Sequence, residues 1–65
     1  MIVIETKKNC KYCQLIKSIF ITNNIEFTEV AAKNVAPIVK LDDKIVYIGL
    51  PEYDELLKFC EKYGN

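Results

Sequence analysis

The hydrophobic period of this chain changes abruptly at residue 10, and the change carries a pair of cysteines. Ile2-Val3-Ile4 is a continuous apolar, β-branched run bounded by polar residues, the pattern of a strand buried on both faces. Thr6-Lys7-Lys8-Asn9 then reads as a loop. From Cys10 onward, Cys13, Ile16, Ile19 and Phe20 recur on one helical face, while Gln14, Lys17 and Ser18 fall on the other. Asn23-Asn24 can close this helix in a left-handed cap. Cys10-Lys11-Tyr12-Cys13 therefore sits where a strand hands over to a helix.

Downstream the pattern supplies three more strands and one more helix. Ile25 to Val30 has strand composition, and Ile38-Val39-Lys40-Leu41 and Ile45-Val46-Tyr47-Ile48 flank a turn around Asp42-Asp43-Lys44, which reads as a hairpin. Pro51 suits a first helical position, and Tyr53, Leu56, Leu57, Cys60 and Tyr63 form a stripe that ends at Gly64. The order is β-α-β-β-β-α, an α/β arrangement, and residues 1–65 read as one domain. A domain of this size buries only about 60% of the surface of its unfolded chain, so its core has little to spare. Six residues, Ala31 to Ala36, join the second strand to Pro37 and cannot hold a helix. At about 3.3 Å per residue they still reach about 20 Å, enough to step over a central strand, which gives a four-stranded mixed sheet of order 2-1-3-4. With no helix on one side, the apolar strands leave a sheet face uncovered, and a homodimer or partner contact there is expected.

Charge and cysteine count exclude several classes. Nine lysines and nine acids cancel, so no global field favours nucleic acid or an anionic membrane. Locally, Lys7, Lys8, Lys11 and Lys17 face a single acid, Glu5, before residue 20, which makes one end of the molecule positive. Three cysteines form an odd and sparse set for a disulfide-stapled secreted scaffold. Only three apolar residues separate Met1 from Glu5, so neither a signal peptide nor a membrane span is expected, and a cytoplasmic, reducing compartment follows.

The placement of the C-x-x-C motif gives it chemistry. A thiolate at a helix N-terminus gains from unpaired amides and the helix dipole, which lowers a free cysteine pKa of about 8.5 toward about 3.5–7.5. Lys7 and Lys11 act in the same direction. Cys10 belongs to the solvent-facing side of the first turn and Cys13 to the apolar face, so Cys10 is the expected nucleophile and Cys13 the resolving thiol. A metal site would need further ligands, and the chain has no histidine and one other cysteine, Cys60, in the apolar stripe of the last helix. Cys60, Tyr47, Tyr53 and Tyr63 read as packing residues, and Lys8 and Lys17 as solvated charges. Pro37 opens a strand where proline is unwelcome. It is either a trans proline at a strand edge or a cis turn that frees the backbone of Ala36 to pair with an incoming chain.

In these features the chain resembles the glutaredoxins, within the thioredoxin fold. The family's lysine, two residues, then C-P-Y-C is met by Lys7, Cys10, Tyr12 and Cys13, and its T-V-P before the hairpin by Val35-Ala36-Pro37. Gly49 matches the first glycine of the family's G-G turn. Lys11 stands in place of the usual proline, Ala36 of valine, and Leu50 of the second glycine. The resemblance implies a minimal glutaredoxin-like fold lacking one helix, with Pro37 cis. It also implies a dithiol oxidoreductase that reduces protein or glutathione mixed disulfides and carries no bound cofactor. Glutathione would be the reductant, held by Lys7, Lys11, Tyr12, Val35, Ala36, Pro37 and Gly49. A thioredoxin-reductase-type enzyme is the alternative donor, with ribonucleotide reductase among the targets. Two other classes remain at this level: a module binding an iron–sulfur cluster or zinc through these cysteines with glutathione, and a degenerate interaction protein.

Overall fold

In a computed structural model that describes residues 1–64, the chain forms β1 (Ile2–Thr6), α1 (Lys11–Thr22), β2 (Thr28–Ala31), β3 (Ile38–Leu41), β4 (Lys44–Ile48) and α2 (Tyr53–Tyr63). The strands make one sheet of order β2-β1-β3-β4. β1 pairs in parallel with β2 and antiparallel with β3, and β3 pairs antiparallel with β4. This is the mixed sheet expected from the sequence, including the step of β3 across β1. None of the helices is long and apolar enough to cross a membrane, among the described residues.

Among the described residues, only one face of the sheet is covered. Ile2, Ile4 and Val39 point to the side where α1 contributes Ile16 and Phe20 and α2 contributes Leu56, Phe59 and Cys60, and these residues with Ile25 form the core. Phe20 is its centre, stacked on Phe59 at 5.6 Å between ring centroids and meeting Phe27 edge-on at 5.9 Å. Aromatic pairs of this kind add about 0.5–1.5 kcal/mol beyond the area they bury. β1 alternates buried and half-buried rather than being buried throughout, because no element packs on its other side. On that open side Ile45 and Ile48 are exposed, and an ion pair of 2.7 Å joins Glu5 to Lys40.

The turns follow their residues. Asn24 takes φ 59° after α1, the left-handed residue expected of Asn23-Asn24, and the Asn23 amide side chain donates to the Ile19 carbonyl at 2.8 Å. The hairpin turn is Asp42-Asp43 alone, both at positive φ, with Lys44 already paired with Leu41. Two consecutive left-handed residues match the twist of the flanking strands. α2 begins at Tyr53 behind an extended Glu52, so Pro51 lies outside the helix. Its buried face is Leu56, Phe59 and Cys60, while Tyr53 is exposed. The stripe expected from the sequence is thus rotated toward Phe59, the residue that meets Phe20.

Two outcomes follow. Phe20→Ala should cost about 3–5 kcal/mol, comparable with the whole stability of a domain this small, and abolish the cooperative thermal transition seen by circular dichroism. Burial pushes the Cys60 thiol and, chiefly for the same reason, the Tyr47 hydroxyl upward. Both groups stay neutral in the fold where the unfolded chain would ionise. Their stabilising contribution is therefore whole below the unfolded values, about 8.5 and 10, and is lost as pH rises beyond them. The melting temperature of the disulfide form should fall above about pH 8.5, and Cys60→Ala should move that onset toward the tyrosine range.

Candidate active site

Cys10 is the N-cap of α1. Its backbone is extended, at φ −102° and ψ 107°, and its Sγ accepts the Cys13 N–H at 3.1 Å while its carbonyl accepts Gln14 N–H at 3.2 Å. Asn9, at φ 58°, turns the chain into this position, a conformation that asparagine tolerates. The two cysteines are joined as a disulfide, with Cα atoms 5.2 Å apart. The bond joins unequal partners, because Cys10 is half-buried and Cys13 is 1% exposed. No acidic residue lies in the first turn of α1, so nothing in that turn opposes negative charge on sulfur.

The register of β1 against β3 pairs Glu5 with Ile38, which brings Pro37 to the same end of the sheet as the cysteine loop. Ala36-Pro37 is cis, and Pro37 is fully buried. The Pro37 carbonyl accepts Gly49 N–H at 2.7 Å, so these two residues of the expected site are in direct contact. Gly49 has φ 81° and no atom within 4 Å of where a Cβ would stand, so backbone conformation rather than crowding calls for glycine there. Lys7, Lys11, Tyr12 and Val35 are exposed, and Ala36 is half-buried.

Beside the disulfide, on the β2 side, lies a cavity of about 600 Å³ whose walls include Thr6, Lys7, Lys8, Cys13, Lys17 and Glu29. Of the expected site residues only Lys7 and Cys13 line it; Cys10, Lys11, Tyr12, Val35, Ala36, Pro37 and Gly49 do not. Lys17 is not a freely solvated charge, because its Nζ donates to Glu29 Oε2 at 3.0 Å. The same oxygen accepts the Thr6 hydroxyl at 2.6 Å. These two contacts, the hydroxyl first, hold the Glu29 carboxyl below its ordinary range. Lys17 could have been singled out in the sequence, since it lies one helical turn beyond Cys13. Glu29 could not, because it reaches the site only through its pairing with Ile4 in the parallel register.

No group of three or more histidine, cysteine or acidic side chains is gathered to hold a metal ion, among the described residues. Searches of protein-family profiles, curated proteins and solved structures return no significant match to this chain.

Reduced protein treated with limiting iodoacetamide near neutral pH should carry label at Cys10 at least about tenfold faster than at Cys13, with Cys60 last, as read by peptide mass mapping. Labelling of Cys13 ahead of Cys10 would contradict the assignment of unequal partners.

Proposed function

We propose that this protein is a glutaredoxin-like thiol–disulfide oxidoreductase working through Cys10 and Cys13. The observation that carries this reading is the capping geometry: the sulfur of Cys10 receives a backbone N–H at the start of a helix, with the second sulfur buried behind it. Charge on that sulfur is stabilised by the N–H and by the helix dipole. In the dithiol form the Cys10 thiolate attacks one sulfur of a substrate disulfide. A Cys10 mixed disulfide forms, and the other substrate sulfur leaves as a thiolate and takes a proton from solvent. The Cys13 thiolate then attacks Cys10 Sγ and releases the second substrate thiol, leaving the bridge of this structure. Two electrons pass to the substrate, and the same number must return from a thiol donor.

Several features support glutathione as that donor. Lys11 and Tyr12 within the motif and Lys7 just before it have exposed side chains, and Ala36 precedes the proline at the neighbouring strand head. A backbone offered at such a position can pair with an extended peptide. The alternative donor is a flavoenzyme of the thioredoxin-reductase type, and disulfide-bearing proteins are the substrate class beside glutathione mixed disulfides.

The test is turnover of a small glutathione mixed disulfide, coupled either to glutathione and its reductase or to a thioredoxin-reductase-type enzyme. The wild type should turn over with at least one donor, Cys10→Ser should fall to background, and Cys13→Ser should keep monothiol turnover with glutathione. Absence of turnover with both donors, or full activity in Cys10→Ser, would overturn the proposal.

A further inference from the structure

Cys13 poses a problem that Cys10 does not. It is 1% exposed, and its own N–H is already committed to Cys10 Sγ. Burial disfavours a thiolate. Yet the second step of the proposed cycle needs Cys13 as the thiolate, and solvent cannot supply the stabilisation.

The charged groups around the cavity at Cys13 come from three elements. The loop after β1 brings Lys7 and Lys8, α1 brings Lys17, and β2 brings Glu29; β1 itself contributes the uncharged Thr6. Lys7 and Lys8 are exposed on the loop, where salt screens them. Lys17 differs in two ways. It stands one turn beyond Cys13 on the same helix, where i and i+4 side chains are neighbours with Cβ atoms about 5–6 Å apart. Its long side chain is also pinned, because Nζ donates to Glu29 Oε2 at 3.0 Å and Glu29 is in turn fixed by the Thr6 hydroxyl at 2.6 Å. A lysine free in water would sample many rotamers and spend little time near the sulfur.

Building on the oxidoreductase reading, we infer that Lys17, positioned by Glu29 and Thr6, is the cation that stabilises the Cys13 thiolate during resolution of the mixed disulfide. In that step Cys13 gives its proton to solvent. Its sulfur attacks Cys10 Sγ, the bond from Cys10 to the substrate sulfur breaks, and the substrate leaves as a thiolate that is protonated from water. Lys17 keeps its proton throughout and supplies only charge. Glu29 has a double effect, since it holds Lys17 in place while its own negative charge opposes the thiolate. Lys17 therefore acts on Cys13 with a single sign, whereas the two effects of Glu29 oppose each other.

The experiment isolates that sulfur. In a Cys10→Ser, Cys60→Ala background the only thiol is Cys13, and its ionisation is followed by ultraviolet thiolate absorbance. Lys17→Gln should raise the midpoint by about one pH unit, and Lys17→Arg, which keeps the charge, should stay near the parent. A second readout uses the reduced Cys60→Ala protein mixed rapidly with a bis(nitrobenzoate) disulfide. The first nitrothiobenzoate released reports Cys10, and the second reports attack by Cys13. Lys17→Gln should slow the second release about three- to tenfold near neutral pH, leave the first unchanged, and match the parent at high pH, where Cys13 is ionised without help. Thermal melts check that each variant is folded. An unmoved midpoint and second release in Lys17→Gln would overturn the inference, as would Lys17→Arg shifting both readouts as far as Lys17→Gln does. Neither readout requires turnover of a biological disulfide, so a protein inactive with both donors but responsive at Cys13 would fault the functional reading alone.

Discussion

The packing of Phe20 between the sheet and Phe59 holds the rest of the molecule in place. With a single sheet face covered, both helices must share one shallow core, and Phe20 is where they meet. Anchoring α1 through Ile16 and Phe20 near its far end fixes the direction of its axis, and so fixes where its first turn lies over the end of β1. Cys10 caps that first turn. The position of the disulfide is thus set by aromatic packing several turns away, and a helix that pivoted on a looser core would carry its N-terminal amides off with it.

The same helix makes the two sulfurs unequal. Cys10 precedes the first helical residue, so its backbone is extended and its side chain folds back over the open amides. Cys13 lies inside the first turn, on the apolar face that continues through Ile16 and Phe20. A spacing of three residues across a helix start therefore gives one sulfur a hydrogen-bond donor and partial exposure, and the other burial and a cavity lined with charge. The difference in chemistry follows from the geometry of one turn and requires no further residue for Cys10. Cys13 does need outside help, because the dipole and the amides are already oriented toward its partner.

Much of this was legible in the sequence, and the exceptions have a common cause. β1, the strand-to-helix placement of the cysteines, the left-handed cap at Asn24, the hairpin and the sheet order all follow from local pattern and chain length. The face of α2 did not, because Tyr53-Leu56-Leu57-Cys60 and Leu56-Phe59-Cys60 are both acceptable stripes, and only contact with Phe20 chooses between them. β2 starts at Thr28 rather than Ile25 because Thr28 pairs with Val3, so residues before Phe27 run past the beginning of β1 and have no strand to join. Ile25 is buried all the same, as part of the core. The Thr6–Glu29–Lys17 cluster was hidden for the same reason: its members are far apart in sequence and meet only through parallel register.

The short connection from β2 to Pro37 has consequences on both sides of the sheet. It forces β3 to cross β1 without a covering helix, so the open face must be tolerable in water as well as apolar enough to hold the strands together. The Glu5–Lys40 ion pair does this at the centre of the sheet, where the two residues stand diagonally across β1 and β3, Glu5 in register with Ile38 and Lys40 with Val3. At the margin, Ile45 and Ile48 of β4 remain exposed, in register with Lys40 and Ile38. All the residues implicated in chemistry lie on the covered side or at the end of the sheet where α1 begins. The open face therefore thins the scaffold without reaching the site, because the contacts that orient Cys10 and Cys13 belong to α1, β1 and β2 and to the core beneath them.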